Sequence, residues 1–213
     1  FLYIVLIALG TVLLLPFFWM LSASLKARWE IFLIPPRWIP SRFLWSNYSE
    51  ALAQMDFVLH LRNTVIVTGA NIIGSVLSCS MAAYAFARVR FPGRDLLFMV
   101  CISALMLPFH ITMIPTYILY KSFGWLDTFL PMIVPPFLGG APVYIFLLRQ
   151  FFLGIPNELC DAAAIDGCGT LRTFWGLMLP MSKPGLATVA IFAFMSGWNE
   201  FLRPLIYLSN RDT

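Results

Sequence analysis

Four stretches of the chain, residues 1–24, 63–87, 96–120 and 128–148, contain no Asp, Glu, Lys or Arg. Each is as long as the roughly 20 apolar residues that a helix needs to cross the hydrocarbon core of a bilayer. A fifth apolar stretch, residues 184–208, carries only Glu200 and Arg203. Runs of this length exceed those expected of buried helices in a soluble domain. They also lack the two-residue alternation of membrane β-strands. The pattern predicts an all-α polytopic membrane protein with five transmembrane helices. Composition agrees: 11% of the residues are charged, where a soluble domain has roughly a quarter.

The net charge of +4 raises nucleic-acid binding as a class. The basic residues, however, stand singly between apolar blocks and form neither a cluster nor a recognition motif, so no nucleic-acid partner is expected. Cations flanking membrane spans account for the charge. Cys79, Cys101, Cys160 and Cys168 form no CxxC pair and have no zinc-ligand spacing with the two histidines, so neither a disulfide framework nor a metal site is expected. Nothing before Lys26 is charged. The first run therefore lacks the basic leader of a signal peptide, and it reads as the remainder of a first transmembrane helix.

The connections differ in kind. Residues 26–62 are long and polar, with Pro35, Pro36 and Pro40 ahead of an amphipathic stretch over 46–61. Residues 88–95 are short and hold Arg88, Arg90 and Arg94. Short basic loops weigh most in the positive-inside rule, which places this loop and the 149–183 loop in the cytoplasm, with the N-terminus inside. In the 149–183 loop, Pro156 suits a first helical turn, and Asn157, Glu158 and Asp161 load that half with acceptors and negative charge. Gly167 stands where a left-handed C-cap belongs. Thr170 is placed to cap a second short helix over 171–178 that ends before Pro180. The result is a helix-turn-helix with Leu159, Ala162, Ala163 and Ile165 as an apolar ridge. Its alanines permit close approach by a partner, and the first helix lacks the aromatics and cations that would lay it on lipid headgroups.

Asp161-Ala162-Ala163-x-x-x-Gly167, followed by Leu179-Pro180, resembles the EAA loop of binding-protein-dependent ABC import permeases. It resembles most closely the carbohydrate-uptake group that includes the maltose permeases. The likeness extends to PFFWMLSASLK at 16–26, AAYAFARVRFPG at 82–93, LLRQF at 147–151, and Gly197-Trp198-Asn199-Glu200. It departs at Asp161, where the family usually has Glu. The resemblance implies one type-1 transmembrane domain over 1–213, truncated at both ends and missing the sixth span. The 149–183 loop would then be a coupling helix docked in an ATPase, contacting it through Asp161, Ala162, Ala163, Ile165, Asp166, Gly167 and Pro180. The implied partners are a second permease chain, an ATP-binding cassette dimer that holds ATP and Mg, and an extracytoplasmic solute-binding protein. The implied setting is a bacterial inner membrane and the implied solute a sugar or polyol. The chain has no GxxxxGK[ST] phosphate loop, so it is expected to bind no cofactor and to be no enzyme.

Ionisable groups inside spans are functional candidates. Glu200 lies about 24 Å along the fifth span from Pro184, at 1.5 Å per residue, and stands three residues before Arg203. Two readings stay open: a self-neutralising pair, or Trp198, Asn199 and Glu200 lining a solute path. Asn63, Asn71 and His110 are expected to make interhelical hydrogen bonds. The prolines of the third and fourth spans are either scaffold kinks or breaks along a pathway. As alternatives, an ion-coupled carrier would place acids near the midplane and show repeated halves, and an intramembrane protease would need HExxH or paired Asp. Neither pattern is present.

Overall fold

The computed structural model describes residues 2–209. Phe1 and residues 210–213 lie outside the described residues. By its contacts the chain divides into two compact units, Phe1–Leu61 and Arg62–Thr213. All regular structure among the described residues is helical.

In the first unit, α1 (Leu2–Ser24) buries none of its residues. An apolar helix exposed all round is a helix whose solvent is lipid. The polar connection that follows closes on itself around buried charges. Lys26 is 1% exposed, its Nζ donates to the Arg37 carbonyl and it lies 4.2 Å from the Trp19 ring centroid. Glu30, on α2 (Arg28–Ile31), accepts from both the N–H and the Oγ of Ser41 at 2.8 and 2.7 Å. Those two bonds hold its carboxyl below the usual carboxylate range. The amphipathic stretch forms α3 (Ser46–Gln54), and the chain then turns at Asp56, whose φ is 46°. The next helix, α4 (Phe57–Arg88), starts six residues before the predicted span.

The second unit contains the rest of α4 and all later elements. The predicted third span is two helices. The stretch Arg94–Met106, which is α5 (Arg94–Ser103) plus a 3-10 turn, meets α6 (Phe109–Ser122) at 101°. Pro108 carries the bend, because it forces extended backbone before the next helix. The fourth span divides into α7 (Leu130–Phe137) and α8 (Pro142–Leu153). Between them Gly139 and Gly140 have φ of 126° and 53°. The predicted fifth span also differs: α12 (Lys183–Trp198) stops at Trp198, and a separate short α13 (Leu202–Tyr207) follows. Among the described residues three helices are long and apolar enough to cross a membrane, or five if each bent pair counts as one. The fifth such span is then the bent pair Thr170–Met181 with Lys183–Trp198 at 80°, rather than residues 184–208.

The buried core gathers at one end of this unit. Cys79, Ala83, Tyr84 and Ala87 of α4 pack with Ile145, Leu148 and Phe152 of α8, and with Phe174, Met178 and Val189. Tyr84 stands 6.2 Å from the Phe152 ring and 5.2 Å from that of Phe174. The 149–183 loop is therefore rooted in the best-packed part of the chain.

Candidate functional site

The loop opens with α9 (Asn157–Ile165). Pro156 sits just ahead of it as the N-cap, with ψ of 139°, and not in its first turn as expected. The C-terminal end is closed as the sequence predicts. Gly167 has φ of 75°, its N–H donates to the Ala164 carbonyl at 3.1 Å, and the Cys168 N–H donates to the Ala163 carbonyl at 2.8 Å. These are the two bonds of a Schellman motif, and they require a residue at ease in the left-handed region. A Cβ on Gly167 would meet nothing within 4 Å, so glycine is needed there for backbone conformation and not for space.

The expected apolar ridge is split. Ile165 is 87% exposed and Leu159 and Ala162 also face outwards, whereas Ala163 is half-buried. Cys160, on the inner face with Ala163, brings its Sγ to 3.7 Å from Met178 Sδ. Asp161 and Asp166 are exposed, and Asp161 lines a groove of about 700 Å³ that it shares with Arg88, Arg90 and Arg94.

After the turn, the helix cap is Gly169 and not Thr170, and the helix runs past the predicted stop. α10 (Thr170–Thr173) passes into a π-helical turn, Phe174–Met178, and then into α11 (Leu179–Met181), which holds Pro180. A proline in a regular α-helix clashes with the carbonyl four residues back. The wider π turn just before Pro180 accommodates the ring, so the helix does not end there. The same turn places Phe174 and Met178, 1% and 0% exposed, in the core, while Pro180 stays exposed.

Three residues in the last turns of α4 hold this loop. Tyr84 donates its hydroxyl to the Thr170 carbonyl at 3.2 Å. The Arg88 guanidinium donates to the carbonyls of Phe152 and Ile155 and to Asn157 Oδ1. In the reverse direction, Arg149 Nε donates to the Phe86 carbonyl at 3.3 Å, and its guanidinium lies 4.3 Å from the Phe98 ring centroid.

The second predicted site lies where α12 stops. Trp198 stacks on Phe194 at 5.3 Å, and Asn199 Nδ2 donates back to the Met195 carbonyl at 2.8 Å. Glu200 accepts from the Arg203 N–H at 3.3 Å and pairs with Arg203 Nε at 3.5 Å. The predicted pair therefore forms, but across a helix break and not along one face. The break also means that Glu200 does not stand on a continuous helix measured from Pro184. Asn71 Oδ1 accepts from Ser75 Oγ at 3.1 Å within α4, where an interhelical partner was expected.

Residues 74–211 match the family described as binding-protein-dependent transport system inner membrane component. The chain belongs to it. It is 35% identical over 207 residues to the diacetylchitobiose uptake system permease protein NgcG of Streptomyces coelicolor, covering 97% of this chain and 68% of that protein. It is 33% identical over 213 residues to the sn-glycerol-3-phosphate transport system permease protein UgpE of Yersinia enterocolitica, covering 97% of this chain and 75% of the relative. In fold it matches a chain from the crystal structure of a bacterial ABC transporter involved in the import of the acidic polysaccharide alginate. That match has a TM-score of 0.86 at 23% identity and covers 99% of this chain and 74% of the other.

As a member of this inner-membrane permease family, the chain is a non-enzymatic, multi-pass subunit of an ATP-driven importer. In this permease, α9 brings Asp161, Ala162, Ala163, Ile165, Asp166 and Gly167 together on one short helix and its cap. Pro180 is on a different element. Sequence reasoning passed over Tyr84, Arg88 and Arg149 as site residues. The available signal was an arginine at each of two span ends, directly against a loop.

Proposed function

We propose that this permease is one of two non-identical membrane subunits of an importer for a sugar or related polyol, glycerol phosphates included. In this reading α9 docks in a cleft of a separate ATPase on the cytoplasmic side, which also puts the N-terminus in the cytoplasm. The observation that carries the reading is α9 itself. It directs Leu159, Ala162 and Ile165 outwards from a helix closed by its own Schellman turn, on a loop seated in the core. A small apolar face with alanine at its centre suits a protein cleft better than a lipid surface. Asp161, Ala162, Ile165, Asp166 and Gly167 make the contact, with Ala163 seating the helix from its inner face and Pro180 shaping the helix behind it. ATP and Mg bind to the ATPase dimer and not to this chain. A solute-binding protein delivers the solute from outside the inner membrane.

The solute class rests on the relatives, named for diacetylchitobiose and for sn-glycerol-3-phosphate, both small and rich in hydroxyl groups. Trp198, Asn199 and Glu200 supply an aromatic face, an amide and a carboxylate, groups that stack on and hydrogen-bond to such solutes.

The test is uptake of both solutes into proteoliposomes holding the assembled importer, with and without ATP. Uptake at an unchanged rate without ATP overturns the reading. Gly167→Val strains the cap and should abolish solute stimulation of ATP hydrolysis while the protein still inserts. Stimulation equal to that of the unsubstituted importer counts against α9 as the coupling element.

A further inference from the structure

The ends of α4 and α8 are capped by each other's arginines. The last carbonyls of a helix have no donor within it, and a cation there is also favoured by the helix dipole. Arg149, near the end of α8, donates to Phe86 in the last turn of α4. Arg88, the last residue of α4, donates to Phe152 in the last turn of α8 and to Ile155 just beyond it. A third Arg88 bond reaches Asn157 Oδ1, at the first position of α9. One planar guanidinium thus bridges the end of a 32-residue span, the end of α8 and the start of the docking helix. Ile155 and Phe152 beneath it are 8% and 0% exposed, so the bridge is anchored in the core.

We propose that Arg88 is the positioning residue through which movement of α9 is passed to α4. The inference rests on the reading of α9 as the ATPase-docking helix. Side-chain packing alone resists compression but yields to sliding. Three directional bonds from one rigid fork fix the register of the three segments. A displacement at Asn157 is then carried to the end of α4. Lysine at this position has a single ammonium on a flexible stem and cannot hold three acceptors in one plane. Arg149 reaches one carbonyl and serves as the weaker return contact.

The experiment uses the assembled importer in nanodiscs and measures hydrogen–deuterium exchange with and without Mg-ATP plus vanadate. In the unsubstituted importer, nucleotide should change exchange both in 155–167 and in 75–88. In Arg88→Ala the change in 155–167 should persist, while that in 75–88 should fall at least fivefold, with the ATPase still co-purifying. Arg88→Lys should recover less than half of the lost response, and Asn157→Ala and Arg149→Ala should lose less than Arg88→Ala. If Arg88→Ala fails to assemble, Arg88→Lys and Asn157→Ala decide the matter. A full 75–88 response in either the Ala or the Lys variant overturns the role of Arg88. Absence of any nucleotide-dependent change in 155–167 of the unsubstituted importer overturns instead the docking reading, and this inference with it.

Discussion

Between α7 and α8 the chain turns through Gly139 and Gly140, and the carbonyls freed there are met by a neighbouring helix. Ser78 Oγ of α4 donates to the Pro136 carbonyl at 2.6 Å, and Cys79 Sγ donates to that of Gly139 at 3.4 Å. Between α12 and α13 the break is met by the segment itself, through Asn199 on Met195 and Glu200 on Arg203. Inside a membrane every freed backbone group must find a partner, and both solutions meet that demand. They differ in what can move. A break whose carbonyls are held by another helix is part of the scaffold, because sliding that helix leaves polar groups unpaired. A break that satisfies itself can shift against its neighbours without orphaning a donor or acceptor. α13 touches its neighbours through side chains, with the Arg203 guanidinium 5.5 Å from the Phe109 ring centroid and Tyr207 5.2 Å from the Tyr120 ring. Its backbone is tied at the far end, where the Asp127 N–H donates to the Tyr207 carbonyl at 2.9 Å and the Ser209 N–H donates to Asp127 Oδ1 at 2.6 Å.

The largest test of this contrast is at Gly140. A Cβ there would stand 2.5 Å from Cys79 Sγ, on a residue with φ of 53°. Left-handed backbone alone costs a non-glycine residue about 1–2 kcal/mol, and the clash adds to that. Gly140→Ala should lower the unfolding free energy in detergent by about 2 kcal/mol or more. The control is Gly69→Ala, since Gly69 on α4 has open space around it and alanine favours helix by about 1 kcal/mol. Equal behaviour of the two variants would break the scaffold reading of the first interruption.

Ser78→Ala removes one cross-helix donor and should cost about 1 kcal/mol, within the range for interhelical hydrogen bonds in membranes. At the self-satisfied break, Glu200→Gln should change stability by less than about 0.5 kcal/mol, because the pair with Arg203 is partly exposed. Uptake is the discriminating measurement for that variant. A KM for solute raised several-fold assigns Glu200 to the path, and unchanged uptake assigns it to Arg203 alone. The smallest effect concerns Glu30, another polar group satisfied within its own segment. Its folded pKa is depressed by the Ser41 bonds, so its contribution to stability is present above the ordinary carboxylate pKa. That contribution is lost as pH falls through the lower folded value. Thermal unfolding followed from neutral pH to below pH 4 should show a decline that is shallower in Glu30→Gln.

The candidate site was legible in the sequence wherever its rules are local. Gly167 was readable as a C-cap because the left-handed cap is a property of one residue at the end of one helix. Thr170 and Pro180 were misread for the complementary reason. Capping chemistry accepts threonine and its neighbour Gly169 about equally, and it favours a stop before proline, but burial of Phe174 and Met178 in the core favours a π turn that carries the helix through. The apolar ridge was right in composition and wrong in facing, since only packing against Met178 decides that Cys160 and Ala163 turn inwards.

The sequence by itself determined that the chain is helical and membrane-spanning, because hydropathy over 20 residues is a one-dimensional property that only a helix can satisfy in lipid. Its motifs carried the family. Only the tertiary structure decided where the spans bend and what holds the docking loop. Those answers depend on pairs such as Ser78 with Pro136, Tyr84 with Thr170 and Arg88 with Phe152, Ile155 and Asn157. Each joins residues more than fifty positions apart, and no local pattern brings such distant donors and acceptors together.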